Sequence, residues 1–323
     1  MQGYDRREIT LAQRVVGAYV GLAVGDALGA TTEFLTPREI QRNYGTHRTI
    51  CGGGWLRLQP GEVTDDTEMS LVLGASILRT PGVDAASVAT AFSDWMRSKP
   101  VDIGNTVRRG IVHFRTTGEP LVPENEYDAG NGACMRSLPV AICYWNAAPE
   151  IRIAASRMQS HVTHNNRQAD AGTEAVLQML VSAFRGVPKS ALQIIAQDLV
   201  EQYIGYRFDR RRVENPSGWI VETLQVVFQA FFSQQSFKDI LVDVVNRGGD
   251  ADTTGAIAGM LAGACYGVDA IPRQWRSALK AQVRHACEQQ STALLALAET
   301  GIDVARRRQG VAVAQAVCQQ PTS

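Results

Sequence analysis

The chain has no run of about 20 apolar residues, the length a helix needs to cross a bilayer, and is expected to be soluble. It has no excess of either charge: Lys plus Arg and Asp plus Glu number 32 each in 323 residues, which argues against a nucleic-acid binder with its usual basic surplus. The clusters Arg210-Arg-Arg212 and Arg306-Arg-Arg308 read as solvated helix faces. Its six cysteines, Cys51, Cys134, Cys143, Cys265, Cys287 and Cys318, include no Cys-x-x-Cys spacing. That indicates neither a zinc site nor a redox pair, and fits reduced thiols in a cytoplasmic protein. There is no His-x-x-x-His zinc helix and no Gly-x-Ser-x-Gly elbow. Alternating apolar and polar residues are nearly absent, which leaves an all-α domain as the expected class. The apolar run from Val15 to Gly25 behind Arg6, Arg7 and Arg14 has the outline of a signal peptide, but Asp5, Glu8 and Asp26 interrupt it.

Glycine, by contrast, is plentiful and regularly spaced. Gly17, Gly21, Gly25 and Gly29 recur every fourth residue, and Gly255, Gly259, Gly263 and Gly267 repeat the pattern near the other end. Each glycine in a helix interior costs roughly 0.8–1 kcal/mol against alanine, so eight at helical spacing need a compensating reason. A glycine ridge lets another backbone approach closely, which predicts two buried helices packed on each other. That packing would bring the end of the first helix to the loop before the second.

The second loop carries Asn246-Arg-Gly-Gly-Asp-Ala-Asp-Thr-Thr-Gly255. Two carboxylates, Asp250 and Asp252, and two hydroxyls, Thr253 and Thr254, stand there at a helix start. Such oxygen atoms suit Mg²⁺ or Mn²⁺ better than zinc, while helix capping is the plain alternative. Thr64-Asp-Asp-Thr-Glu68 repeats the arrangement ahead of the periodic run Met69 to Leu78, with Asp65 and Glu68 spaced as a capping-box variant. Both stretches carry more acid than capping uses. If the two helix starts meet, Asp65, Asp66, Asp250 and Asp252 repel one another unless a cation or protons intervene. With Thr64 and Thr253 they offer about six oxygen ligands, enough for a two-metal site.

Helices are expected over 15–30, from 65, over 85–97, from the turn at 101–106, and over 134–146, 150–160, 166–184, 189–203, 217–233, 236–246 and 273–299. Residues 302–317 add a last candidate helix, so the expected organisation is one domain over 1–300 and a C-terminal helix and tail over 301–323. Residues 116–132 read as a long polar loop of the functional kind. Asp102, shortly after Pro100, is a candidate general base, or a cap like Asn105. Gly130-Asn131-Gly132 could present backbone N–H groups to a phosphate, or be an ordinary loop. His161 and His164 lie between two helices, where histidine is often structural. Trp219, behind Pro216-Ser-Gly, could stack on a base or sugar, or pack in the core.

Taken in order, Gly25-Asp-Ala-Leu-Gly-Ala30 with Glu33-Phe34, Thr64-Asp-Asp-Thr67, Gly130-Asn-Gly132 with Met135-Arg136, Thr163-His164, Ser217-Gly218-Trp219 and Gly248-Gly-Asp-Ala-Asp-Thr-Thr-Gly255 resemble the ADP-ribosylglycohydrolase family over roughly residues 14–300. Within it, Pro100-Val-Asp-Ile-Gly-Asn-Thr106, Arg108-Arg-Gly110 and His161-Val-Thr-His-Asn165 with Asp170-Ala171 look most like the branch that removes ADP-ribose from an arginine of nitrogenase iron protein.

The resemblance implies a compact all-α fold with two Mn²⁺ or Mg²⁺ ions per chain. Thr64, Asp65 and Asp66 would be ligands on one side, and Asp250, Asp252 and Thr253 on the other. It implies an acid/base role for Asp102, substrate placement by Asn105, and a pyrophosphate site at Gly130, Asn131 and Gly132. His164 would touch the distal part of ADP-ribose, Glu126 its adenine end, and Glu33 the metal rim as a supporting or gating residue. Position 219 is Trp where the family usually has Tyr, which keeps stacking and loses the phenolic hydroxyl. Control by a PII-type signalling protein with indirect membrane recruitment is also implied. Hydrolysis of a serine-linked or other O-linked ADP-ribose, a non-catalytic ADP-ribose binder, and a two-metal phosphohydrolase are the alternative readings.

Overall fold

The structure is a computed structural model that describes residues 8–300. The expected helix over 302–317 and the tail over 301–323 lie outside the described residues. Within them the helices are α1 (Leu11–Gly29), α2 (Pro37–Tyr44), α3 (Asp65–Arg79), α4 (Ala85–Arg97), α5 (Asn105–Thr117), α6 (Gly132–Met135), α7 (Leu138–Cys143), α8 (Pro149–Ser160), α9 (Arg167–Phe184), α10 (Lys189–Gln202), α11 (Ile220–Ser233), α12 (Phe237–Val245), α13 (Ala251–Tyr266), α14 (Arg273–Ala278) and α15 (Ala281–Thr300). No strand forms among the described residues, where β pairing is limited to the isolated bridges Gly53–Leu58 and Gly130–Trp219. The all-α expectation is met. No helix there is long and apolar enough to cross a membrane.

Helices α1 and α13 form the central antiparallel pair, and glycine is what lets them touch. A Cβ added to Gly25 would lie 1.9 Å from the Gly255 carbonyl oxygen, one on Gly21 2.3 Å from that of Gly259, and one on Gly17 2.5 Å from that of Gly263. No side chain fits between the two backbones, so the predicted ridge-to-ridge contact is observed directly. Both helices are buried all round, as expected of helices apolar on every side. Helices α9, α11 and α12 pack on α13, while α15 covers α1, α3 and α7. Because the pair is antiparallel, the C-terminal end of α1 meets the N-terminal end of α13, with Gly29 against Ala251.

Two expected helices break and one helix is added. The helix over 134–146 is two short helices, α6 and α7, because Pro139 in the first turn of α7 lacks an N–H and its ring cannot follow a continuous helix. The helix over 273–299 breaks at Leu279, which turns extended (φ −58°, ψ 142°). There the Lys280 N–H donates to Gly61 O at 3.0 Å, a tertiary contact that overrides local helix propensity. Helix α2 is absent from the expected elements, although Thr36 and Glu39 close a full capping box around Pro37 at its start.

Candidate functional site

The start of α3 is capped from another helix. Thr64 occupies its N-cap position yet its side chain caps nothing. Asp26, fully buried in α1, accepts instead from the Thr64 and Thr67 amides at 3.0 and 3.1 Å and from both of their hydroxyls. This contact satisfies two of the orphan donors of the first turn and releases Asp65 and Asp66 from capping. Glu68 does not close a capping box; it accepts from Trp95 Nε1 at 2.8 Å.

The loop before α13 is pinned on several sides. Asn246 exchanges hydrogen bonds with the His47 backbone (2.8 and 2.9 Å), and Arg247 pairs with Asp243 at 2.9 Å. Gly248 and Gly249 follow at φ 70° and 64°, pressed against Leu35 O and Pro216 O where a Cβ would lie 1.9 and 2.1 Å away. The chain after α1 closes the loop from the other side, Phe34 N–H donating to Gly249 O at 2.7 Å. Asp250 stands at the N-cap of α13 without capping it. Asn131 donates to its Oδ2 and to Thr223 Oγ1 (2.9 Å).

The two helix starts meet at Asp66. Its Oδ2 lies 3.2 Å from the hydroxyls of both Thr64 and Thr253, whereas its buried Oδ1 has no partner. Asp65 Oδ2 accepts from Gly104 N–H at 3.2 Å, which ties the start of α5 to the same place. Asp102 caps nothing: its Oδ1 accepts the adjacent Ile103 N–H at 2.8 Å, and Gly104 is the N-cap of α5. Asn105, also considered a cap, is the exposed first residue of α5. Carboxylate oxygens of Glu33, Asp102 and Asp252 all lie within 4.8 Å of one another. Of these three, only Asp252 is among the expected ligands.

The nucleotide-side candidates form a second group beside Asp250. Asn131 N–H donates to Gly218 O and Ile220 N–H to Ala129 O, each at 3.0 Å, pairing the Gly130 loop with the Trp219 segment. Trp219 is exposed, with Nε1 held by Gln168 Oε1 at 2.9 Å. His164 lies buried beneath the loop, its Cε1 2.9 Å from where a Cβ on Gly132 would sit. Arg136 Nη2 donates to Thr163 Oγ1 (2.7 Å), and that hydroxyl also lies within hydrogen-bond distance of His164 Nδ1 at 2.7 Å. The other ring nitrogen, Nε2, faces Gly130 and Gly132, 3.1 Å from where a Cβ on either would sit. Burial, then Arg136 and Arg109, hold this imidazole well below its usual pKa and neutral. His161 is not part of this group; it pairs with Asp170 at 2.9 Å. Glu126 is exposed on its loop, which Asn166 secures through the Glu126 carbonyl at 3.0 Å, and it is not among the residues brought together at the cluster.

Electrostatically the cluster is under-compensated. No Lys or Arg among the described residues forms an ion pair with Glu33, Asp65, Asp66, Asp102, Asp250 or Asp252. Burial first, then mutual repulsion, raises Asp65 to about 8 and lifts Asp66 and Asp252 well above the carboxylate range. Glu33 is pushed up to about 8 by burial, against the hydrogen bond from Trp55. Asp102 and Asp250 are raised for the same first reason. Converging acids, threonine hydroxyls with free lone pairs and an orphaned buried Asp66 oxygen fit a cation with oxygen preference. Two residues here escape the sequence reading: Asp26, whose signal is an acid inside a glycine-ridged apolar helix, and Trp55, which has no local signal.

The family model for ADP-ribosylglycohydrolase matches residues 7–310. The chain is 46% identical over 290 residues to the ADP-ribosyl-[dinitrogen reductase] glycohydrolase of Rhodospirillum rubrum, spanning 90% of this chain and 97% of that protein. It is 31% identical over 282 residues to the ADP-ribosylarginine hydrolase Tri1 of Serratia proteamaculans, spanning 83% of this chain and 75% of that one. Among solved structures, an ADP-ribosylglycohydrolase-related protein complex is similar with a TM-score of 0.80 at 35% identity, over 89% of this chain and 99% of that chain.

Proposed function

The chain belongs to the ADP-ribosylglycohydrolase family, and on that premise we propose that it hydrolyses the N-glycosidic bond between ADP-ribose and an arginine side chain of a protein. The observation that carries this reading is the meeting of the two acidic helix starts at Asp66, between the hydroxyls of Thr64 and Thr253. Two Mn²⁺ or Mg²⁺ ions held by Thr64, Asp65, Asp66, Asp250, Asp252 and Thr253 would supply electrostatic stabilisation at the ribose hydroxyls.

Guanidine leaves poorly unless its proton is retained or delivered, so a carboxyl group at the reacting ribose has work to do. Asp102, half-buried and with its pKa raised by burial, serves as the proton-handling group in this proposal. Asn105 places the substrate beside it, and Glu33 borders the reacting end. The pyrophosphate lies on the loop of Gly130, Asn131 and Gly132, with His164 Nε2 facing the loop from beneath. Trp219 offers an exposed ring for stacking, and Glu126 lies toward the adenine end.

The identity with the R. rubrum protein supports nitrogenase iron protein as the target, with reversal of its inactivation as the role. A PII-type signalling protein with indirect membrane recruitment is the proposed means of control. Assay of ADP-ribose release from arginine-, serine- and other O-linked substrates side by side tests the linkage. Release confined to the arginine linkage is expected, and preference for either other linkage sinks the arginine reading.

A further inference from the structure

We propose that Trp55, Phe34 and Glu33 form a guanidinium subsite that receives the arginine side of the scissile bond; this rests on the arginine linkage proposed above. Trp55 Nε1 donates to Glu33 Oε2 at 2.6 Å. The indole thereby uses its polar edge on a residue whose carboxylate lies within 4.8 Å of Asp102 and Asp252, and it remains 53% exposed. Phe34 stands next to it, 61% exposed, with ring centroids 5.3 Å apart and planes at 51°.

Two large rings left more than half in water side by side forgo apolar burial, so their placement needs a reason. Phe34 also sits in the left-handed region at φ 59°, where a non-glycine residue is strained, and strain of this kind concentrates at functional sites. Its N–H is held by Gly249 O, one residue before Asp250. The aromatic pair is thus fixed to the loop before α13 and, through Glu33, to Asp102 and Asp252.

Hydrogen-bonding character decides which half of the substrate belongs there. Two aromatic faces beside the Glu33 carboxyl match a guanidinium, which only donates and stacks, whereas the Gly130 loop offers the backbone N–H donors that a pyrophosphate needs. A guanidinium is planar, weakly hydrated and always charged; it stacks on aromatic faces and pairs with carboxylates. The exposed Trp55 and Phe34 rings offer the stacking face, one hydrogen bond away from the buried Glu33 carboxyl of the acidic cluster.

The test compares wild type with Trp55→Ala, Trp55→Phe and Phe34→Ala, each loaded with Mn²⁺, on an ADP-ribosylarginine peptide. Free ADP-ribose serves as a competitive inhibitor that lacks the guanidine, and melting midpoints equal to wild type establish folding. Trp55→Ala and Phe34→Ala should raise KM by roughly two- to thirtyfold, the range of a cation–π contact, while Ki for ADP-ribose stays unchanged. Trp55→Phe, which keeps a ring and loses the N–H, should raise KM less than Trp55→Ala. Unmoved KM values, or KM and Ki rising together, overturn the subsite. A wild-type enzyme that leaves the arginine linkage intact overturns the arginine reading and the subsite with it, whereas wild-type turnover with unmoved KM overturns the subsite alone.

Discussion

The carboxylate of Asp26, buried in α1, accepts the amide of Thr67 in the first turn of α3 at 3.1 Å. A neighbouring helix thus performs the capping that Thr64 would otherwise supply, and the oxygens of Thr64, Asp65 and Asp66 are left for the site. Asp26→Asn keeps the shape but turns an amide donor toward groups that are themselves donors. Residues that support metal ligands typically change affinity by about 10- to 100-fold. Calorimetric Mn²⁺ titration of Asp26→Asn should show a loss in that range, and unchanged affinity would mean that Asp26 only packs the core.

Glycine at position 25 is irreplaceable on steric grounds. Alanine should gain roughly 1 kcal/mol of helix propensity, yet its Cβ would meet Gly255 O at 1.9 Å. The clash dominates, since forced overpacking costs about 1–3 kcal/mol and more where only backbone can yield. Urea unfolding of Gly25→Ala should give a lower midpoint than wild type; an equal or higher one contradicts the close approach of α1 and α13.

Much of this was legible from spacing. Glycines every four residues in two distant segments announced the α1–α13 pair, and surplus acids at two helix starts announced the cluster. What spacing could not carry were contacts made across the chain. Asp26 reads as one misplaced acid until α3 is docked on it. Trp55 comes to Glu33 through a turn whose glycines Gly52, Gly53 and Gly54 all take positive φ. The break at Leu279 depends on Gly61, more than two hundred residues earlier in the chain. Even the capping alternatives for Thr64 and Asp250 could be decided only by where their side chains point.

Protonation of the cluster makes metal-free stability depend on pH. Glu33 and Asp65 are raised to about 8 and Asp26 to about 7 in the folded chain, above ordinary carboxylates near 4. The folded state therefore binds these protons more tightly than the unfolded chain. Its contribution is complete below about pH 4 and is lost as pH rises through about 7–8. In chelator, the melting midpoint should fall between pH 5.5 and 8.5 from this source, while the increase produced by Mn²⁺ should grow over the same interval, because metal competes with protons. A Mn²⁺ effect that is flat with pH would count against shared ligands.

Asp252 and Asp102 should separate binding from turnover. Asp252→Ala should abolish metal binding and activity together. Asp102→Ala should retain Mn²⁺ and ADP-ribose binding while slowing kcat by about 10²- to 10⁴-fold, the range of general acid–base catalysis. Full activity in Asp102→Ala removes it from the mechanism.

The most direct measurement is release of free ADP-ribose from an arginine-ADP-ribosylated protein, first with Mn²⁺ supplied and then after chelation. Release that stops on chelation and returns when Mn²⁺ is restored is the predicted result. No release in Mn²⁺ while ADP-ribose still binds, or release that persists in chelator, would contradict a metal-dependent glycohydrolase.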